Sequence, residues 1–340
     1  MARPAPTGMI ASGSASSRPP PSSCGIDRMR ARLTHWLNGR GFAGILIGLP
    51  YLWLLILFLL PFLIVVAMSV ATRTPTAPPF GFGGENPLVN LDGYARLFTD
   101  DLYIRAFTTS LLNAGVATLL CLLLGYPMAL GLTRVSKGWR NILLMLVILP
   151  FWTSFLLRVY AWMGMMGRNS WFNQMLTDAW NWLTPEGWAV TSLPLMHSNF
   201  AVVLVMVYTY LPFMILPLYA SLERLDPALD EAAMDLGSRP FRVFLDVTLP
   251  QSIPGIVAGA LLVFIPAAGE LVIPTLVGDA ASPMIGRVIS DEFFSARDWP
   301  MASSVAVALL LLMVVPTMLY SRAQARADGA EAKPGGQTQP

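Results

Sequence analysis

Long apolar runs separated by short polar connections set the pattern of this chain. Six runs are each long enough to cross a bilayer, near 43–71, 107–133, 140–166, 197–220, 253–277 and 302–320. A hydrocarbon core needs roughly 20 residues at about 1.5 Å rise each. None of the runs alternates with a period of two. Backbone groups in lipid must be satisfied inside their own segment, so the pattern predicts helix in all six. Prolines within them (Pro50, Pro61, Pro127, Pro212, Pro217, Pro266 and Pro274) predict kinks rather than breaks. Between the third and fourth runs, "WFNQMLTDAWNWL" (171–183) reads as an aromatic-rich helix lying among lipid headgroups.

Composition agrees with a membrane protein. The 340 residues are 55% hydrophobic and 12% charged, where a soluble domain carries about 25% charged residues. A net charge of +2 points to no nucleic-acid partner. Cys24 and Cys121 cannot build a disulfide framework, and no Cys/His cluster has metal-ligand spacing. Cys121 lies in an apolar run and reads as packing. Cys24 lacks the apolar run that precedes a lipidated cysteine. The first forty residues, rich in Pro, Ser and Arg, read as a disordered cytoplasmic tail rather than a cleaved signal peptide.

Basic residues in the connections set the orientation. Fifteen lie in the N-terminal stretch, the 134–140 and 221–252 connections and the C-terminal stretch; six lie in the alternate set. Both termini are therefore expected in the cytoplasm, with 72–106, 167–196 and 278–301 facing outward.

The inward 226–250 stretch is charged and broken by glycine. Asp226 suits an N-cap and Pro227 the first helical position. Asp230 and Glu231 favour the early turns. Gly237 suits a left-handed helix end, and Ser238 a cap for a second short helix with Pro240 in its first turn. Phe241, Phe244, Leu245 and Thr248 then share one face. On composition alone this is a connecting loop on the membrane surface. The spacing adds something sharper. "EAA", three residues, Gly, nine residues and "VTLP" resemble the E-A-A-x3-G-x9-I-x-L-P signature of ABC-importer permeases. The matching positions are Glu231, Ala232, Ala233, Gly237, Leu249 and Pro250; Val247 stands where isoleucine is usual. "LPFWTSFLLRVYAWMG" (149–164), "FIPAAGELVIPTLVG" (264–278) and "MIGRVISDEFFSARDWP" (284–300) also resemble stretches of polyamine importer permeases. Over about residues 42–320 the chain most resembles the putrescine permease subunit of such importers.

The resemblance implies an all-α, polytopic type I ABC importer permease with six transmembrane helices in a bacterial inner membrane. It implies a cytoplasmic tail (1–41), a first transmembrane helix and outer loop (42–105), a five-helix core (106–320) and a second tail (321–340). It makes 221–252 the coupling loop that docks on an ATPase dimer. Its further partners would be a second homologous permease, a periplasmic solute-binding protein, membrane lipid and a small organic cation. The chain has no G-x-x-x-x-G-K-[ST] loop, and its only lysines are Lys137 and Lys333. No cofactor is expected in this chain; ATP and Mg would be held by the partner ATPase. No enzymatic constellation is visible.

Two charges fall within the runs, where charge is costly. Glu270 sits in "PAAGELVIP", beside Gly269 and between two prolines that loosen the helix. Arg158 sits among Trp152, Tyr160 and Trp162. One reading makes these a translocation path: Glu270 attracts ammonium groups and the aromatic faces add cation–π attraction. A second makes Glu270 and Arg158 an ion pair holding the third and fifth spans together. A third places one or both near a helix end, snorkelling to the headgroups. His35 and His197 receive no role. The alternative function is an ATP-independent transporter or channel for an organic cation; the EAA-type loop argues against it.

Overall fold

The computed structural model describes residues 40–75, 77–83, 89–185 and 190–331. The expectations for the N-terminal tail, Cys24, His35 and the last nine residues lie outside them. The chain divides after Ile64 into two units. The first is a helix with apolar side chains exposed between Leu49 and Ile64, in which Phe58 and Phe62 stack at 6.3 Å. This helix, α1, runs Arg40–Ser69 and carries Pro50 and Pro61 without interruption.

From Val65 onward the elements follow in order. A two-residue ladder, β1 (Thr72–Arg73) with β2 (Phe80–Gly81), precedes α2 (Asp92–Thr99) and α3 (Asp101–Arg134). Then come α4 (Lys137–Ile148) with a 3-10 turn to Trp152, α5 (Phe155–Met166), α6 (Trp171–Leu183) and α7 (Asn199–Leu222). The polar connection folds as α8 (Pro227–Asp235), α9 (Pro240–Val243), a π turn at Phe244–Thr248 and α10 (Leu249–Gln251). The remainder is α11 (Ile253–Ala268), α12 (Val272–Val277), α13 (Ile285–Ser290), a π turn at Asp291–Ser295 and α14 (Trp299–Glu331).

Helices α3, α7 and α11 pack on one another and bury the main core. Their contact faces are small. Ala114, Ala117, Cys121 and Ala129 of α3 are fully buried. On α11, Gly255 and Gly259 lie four residues apart and press against α7. A β-carbon on Gly255 would stand 2.4 Å from Ser221 Cβ, and one on Gly259 would stand 3.2 Å from the Met214 carbonyl oxygen. Apolar surface gives helices no reason to associate within lipid. Close backbone approach through small residues supplies dispersion instead.

All six apolar runs contain helix, and among the described residues three helices are long and apolar enough to cross a membrane: Gly48–Ser69, Asp101–Arg134 and Asn199–Leu222. The third run bends by 90° between Trp152 and Phe155, and the helices flanking Ser252 meet at 64°. The fifth run is interrupted again at Gly269–Leu271. The sixth is apolar helix over Trp299–Val315. The prolines expected to kink do lie inside helices, except Pro274, which sits in the first turn of the separate helix α12. The breaks fall elsewhere, at Thr153–Ser154 and Gly269–Leu271, where no residue continues the i to i−4 ladder. The 171–183 segment is helical as expected, its Ser170 cap accepting the Asn173 N–H at 3.1 Å. Trp171 and Trp182 are exposed on it.

A smaller core joins α2, the start of α3, α13 and the start of α14 through Leu97, Tyr103, Ala106, Ile285, Val288 and Met301. Ser304 Oγ donates to the Ser69 carbonyl at 2.8 Å and Tyr94 donates to Ser69 Oγ at 2.8 Å. These bonds satisfy buried polar groups within the second unit.

Candidate functional site: an inward loop and a carboxylate at a helix break

The 226–252 loop is rigid for identifiable reasons. Asp226 Oδ1 accepts the Ala228 N–H at 3.0 Å, with Pro227 at the first helical position. At the other end of α8, Gly237 takes φ +86°. Its N–H reaches the Met234 carbonyl at 2.9 Å and the Ser238 N–H reaches the Ala233 carbonyl at 3.1 Å. This pair of bonds is the Schellman closure, and it needs a residue at ease with positive φ. The cap of the second helix is Arg239, with no side-chain cap, and not Ser238 as expected. Ser238 is consumed by the closure of α8.

The π turn also redistributes the face expected of Phe241, Phe244, Leu245 and Thr248. Thr248 is buried and Phe244 packs edge-on against Tyr126 at 5.6 Å. Phe241 and Leu245 are exposed. One extra residue per turn rotates the two pairs apart. Thr248 Oγ1 donates to Asp230 Oδ1 at 3.3 Å, tying the two halves of the loop. Tyr126 hydroxyl and Ser252 Oγ lie 2.9 Å apart, tying the loop to α3. Just before it, Arg140 Nη1 donates to Glu223 Oε1 at 2.8 Å, holding the start of α4 to the end of α7.

The motif residues do not share one surface. Glu231, Ala232 and Pro250 are exposed, Ala233 is half-buried and Leu249 packs on the core. The solvent face of the loop instead gains Met234, Leu236 and Phe241, with Leu236 89% exposed. An exposed leucine on a capped turn suits a protein partner.

Inside the membrane runs, Glu270 lies at the break between α11 and α12. Its Oε1 accepts the Val272 N–H at 3.0 Å and the Ile273 N–H at 3.4 Å, so it caps α12. Its Oε2 accepts the hydroxyl proton of Tyr210 on α7. Arg158 does not pair with it. Among the described residues Arg158 makes no ion pair and no side-chain hydrogen bond, and its Nε and Nη1 are buried. Its guanidinium instead lies 5.7 Å from the Phe151 ring centre and 5.9 Å from that of Phe155.

A row of rings lies between the two charges, which make no contact with each other. Phe151 meets Phe213 edge-on at 5.0 Å, Phe213 lies 6.3 Å from Tyr210, and Tyr210 holds Glu270. Of the aromatic residues singled out in the sequence, Trp162 packs on Tyr208 and Phe172. Trp152 and Tyr160 are exposed on the broken span. Tyr210, Phe151 and Phe213 were not legible as site residues. A signal existed for Tyr210, because a tyrosine inside an apolar run needs an acceptor for its hydroxyl.

A helical bundle with a carboxylate at a broken apolar helix and a braced polar loop fits a membrane transport subunit. The chain belongs to the family of binding-protein-dependent transport system inner membrane components, whose pattern matches residues 39–328. It is 38% identical over 285 residues to the spermidine/putrescine transport system permease protein PotB of Haemophilus influenzae, covering 83% of this chain and 94% of that one. It is 37% identical over 271 residues to the PotB protein of Escherichia coli, covering 80% and 94%. These names do not separate putrescine from spermidine. Among solved structures, a bacterial ABC transporter that imports the acidic polysaccharide alginate matches with a TM-score of 0.61 at 18% identity, covering 87% of this chain and 99% of that one. The fold is that of an ABC importer permease, and the chain is a transport component of the inner membrane.

Proposed function

We propose that this chain is the membrane path of an ATP-driven polyamine importer, carrying putrescine or spermidine inward by alternating access. The observation that carries the substrate class is the Glu270 carboxylate, placed at a helix break inside a membrane run and oriented by Tyr210. A fixed negative charge in low dielectric attracts an ammonium group strongly. The likeness to permeases named for spermidine and putrescine supports the same reading.

In this scheme a substrate-loaded binding protein docks on the outer face, and a second homologous permease completes the path. The exposed side of 227–251 seats on an ATPase dimer, which holds ATP and Mg. Glu231 offers its carboxylate to a basic partner, while Leu236 and Phe241 offer apolar area. The Schellman closure and the Thr248–Asp230 bond keep the loop from bending, so movement of the ATPases reaches α7 and α11. ATP binding biases the two facings through its different affinity for each. Both termini lie in the cytoplasm.

Uptake by proteoliposomes holding the full importer tests this. Radiolabelled putrescine and spermidine should accumulate with ATP and binding protein, and a neutral sugar should not. Uptake without ATP, or no polyamine uptake, would reject it.

A further inference from the structure

A pocket of about 910 Å³ opens on the outward side, between the β1–β2 hairpin and the π turn at 291–295. We infer that it receives an acidic side chain, flanked by apolar residues, from the solute-binding protein. This rests on the importer reading above and adds the place and chemistry of docking.

Pro78, Phe293, Phe294 and Trp299 form the apolar wall, and Arg73 and Arg297 also line it; among the described residues the lining holds no carboxylate. The floor is braced before any partner arrives. Arg73 Nη2 donates to the Ala296 carbonyl at 2.8 Å and Nη1 to Asp298 Oδ2 at 3.4 Å. Asp298 is buried and its Oδ1 accepts the Met301 N–H at 3.1 Å. Phe293 stacks on Trp299 at 5.1 Å, and Phe80 lies against Trp299 at 6.0 Å.

Arg297 is held in an unusual state. It takes φ +51° without being glycine. Such strain persists only where the surroundings over-determine it, and it concentrates at functional sites. Here the Asp298 N–H bonds to the Glu292 carbonyl and the Ala296 N–H to the Asp291 carbonyl, both at 2.9 Å, fixing the turn on either side. Arg297 is exposed and makes no ion pair among the described residues.

Exposed charged side chains stand level with the pocket. Tyr103 donates to Glu292 Oε1 at 2.7 Å, placing the turn level with the first residues of α3. There Asp101 and Arg105 have side chains 82% and 77% exposed. On α14 the first exposed apolar side chain is Leu311. It lies about 18 Å along the helix from Trp299 at 1.5 Å per residue. Arg73 is already engaged by Asp298 and the Ala296 carbonyl, so Arg297 carries the pocket's unpaired charge. A cation is repelled there, and a carboxylate, which arginine binds in bidentate fashion, is suited. Phe294, 74% exposed, and Arg297 are of the aromatic and arginine types that interfaces favour.

The test uses the assembled importer in nanodiscs, titrated with substrate-loaded binding protein of the same system. Arg297→Glu is expected to raise Kd by about tenfold or more, and Phe294→Ala by several-fold. Arg297→Gly removes the charge while easing the positive φ, so it separates folding from docking; it too should bind weakly. A photo-crosslinker at position 294 should join the binding protein. Affinity at the wild-type level in all three variants overturns the proposal, as does a crosslink that goes to lipid. If the wild-type complex binds no binding protein, the importer reading fails instead.

Discussion

The Tyr210 hydroxyl donates a hydrogen bond to Glu270 Oε2, joining the middle of α7 to the break between α11 and α12. The other carboxylate oxygen caps α12. A charged hydrogen bond is worth about 1.5–3 kcal/mol. Tyr210→Phe keeps the ring against Phe213 and removes only the hydroxyl. Polyamine uptake should fall by about tenfold, the equivalent of roughly 1.4 kcal/mol, while the permease still co-purifies with its ATPase. Unchanged uptake would show that Tyr210 does not serve the carboxylate.

The Arg158 guanidinium touches Phe151 and Phe155, not Glu270. Glu270→Gln and Arg158→Gln should therefore act independently on the melting of the purified protein, adding within about 0.5 kcal/mol. A direct ion pair predicts rescue in the double variant, because no lone charge would remain buried. Rescue of more than about 1 kcal/mol would restore the ion-pair reading.

Most of this arrangement was legible in part. Glu270 stood out as a lone charge between Pro266 and Pro274, and the loosening expected there is the Gly269–Leu271 break. Its partner did not stand out, since Tyr210 lies 60 residues away in the chain and chain periodicity carries no record of contacts across helices. The Asp226 cap and the Gly237 turn were readable because they are local. Pro150, just after the end of α4, was a local signal for the 90° bend that follows Trp152, whereas the π turn at 244–248 depends on how neighbouring helices pack.

Gly237 separates two kinds of penalty. A β-carbon there would meet nothing within 4 Å, so space is not the obstacle. The φ of +86° is. Asparagine tolerates that region and a β-branched residue does not. Gly237→Asn should keep ATPase co-purification and uptake near wild type. Gly237→Val should lose coupling, with ATP hydrolysis no longer yielding uptake. Equal behaviour of the two variants would mean that the turn conformation is irrelevant.

Topology follows from the basic residues of the short inner connections. A cysteine at position 237, in a background with Cys24 and Cys121 replaced by serine, should react with a membrane-impermeant maleimide only in inverted vesicles. A cysteine at Phe294 should react only in right-side-out spheroplasts. The reverse pattern would overturn the orientation.

The α7–α11 contact supplies a last test. Gly259 packs so closely on Met214 that a β-carbon would lie 2.8 Å from its sulfur and 3.2 Å from its carbonyl oxygen. The sulfur ends a flexible side chain and can move; the carbonyl belongs to a helix and cannot. Gly255 is tighter, at 2.4 Å from Ser221 Cβ and 3.1 Å from the Pro217 carbonyl oxygen. Overpacking a filled core costs about 1–3 kcal/mol. Gly255→Ala should therefore destabilise more than Gly259→Ala, and Ser221→Gly should recover part of the loss in Gly255→Ala by removing the nearest atom. Melting of the detergent-purified chain, followed by tryptophan fluorescence, reads all three against the wild type. An unchanged melting temperature in Gly255→Ala would mean that α7 and α11 are held by something other than close backbone approach.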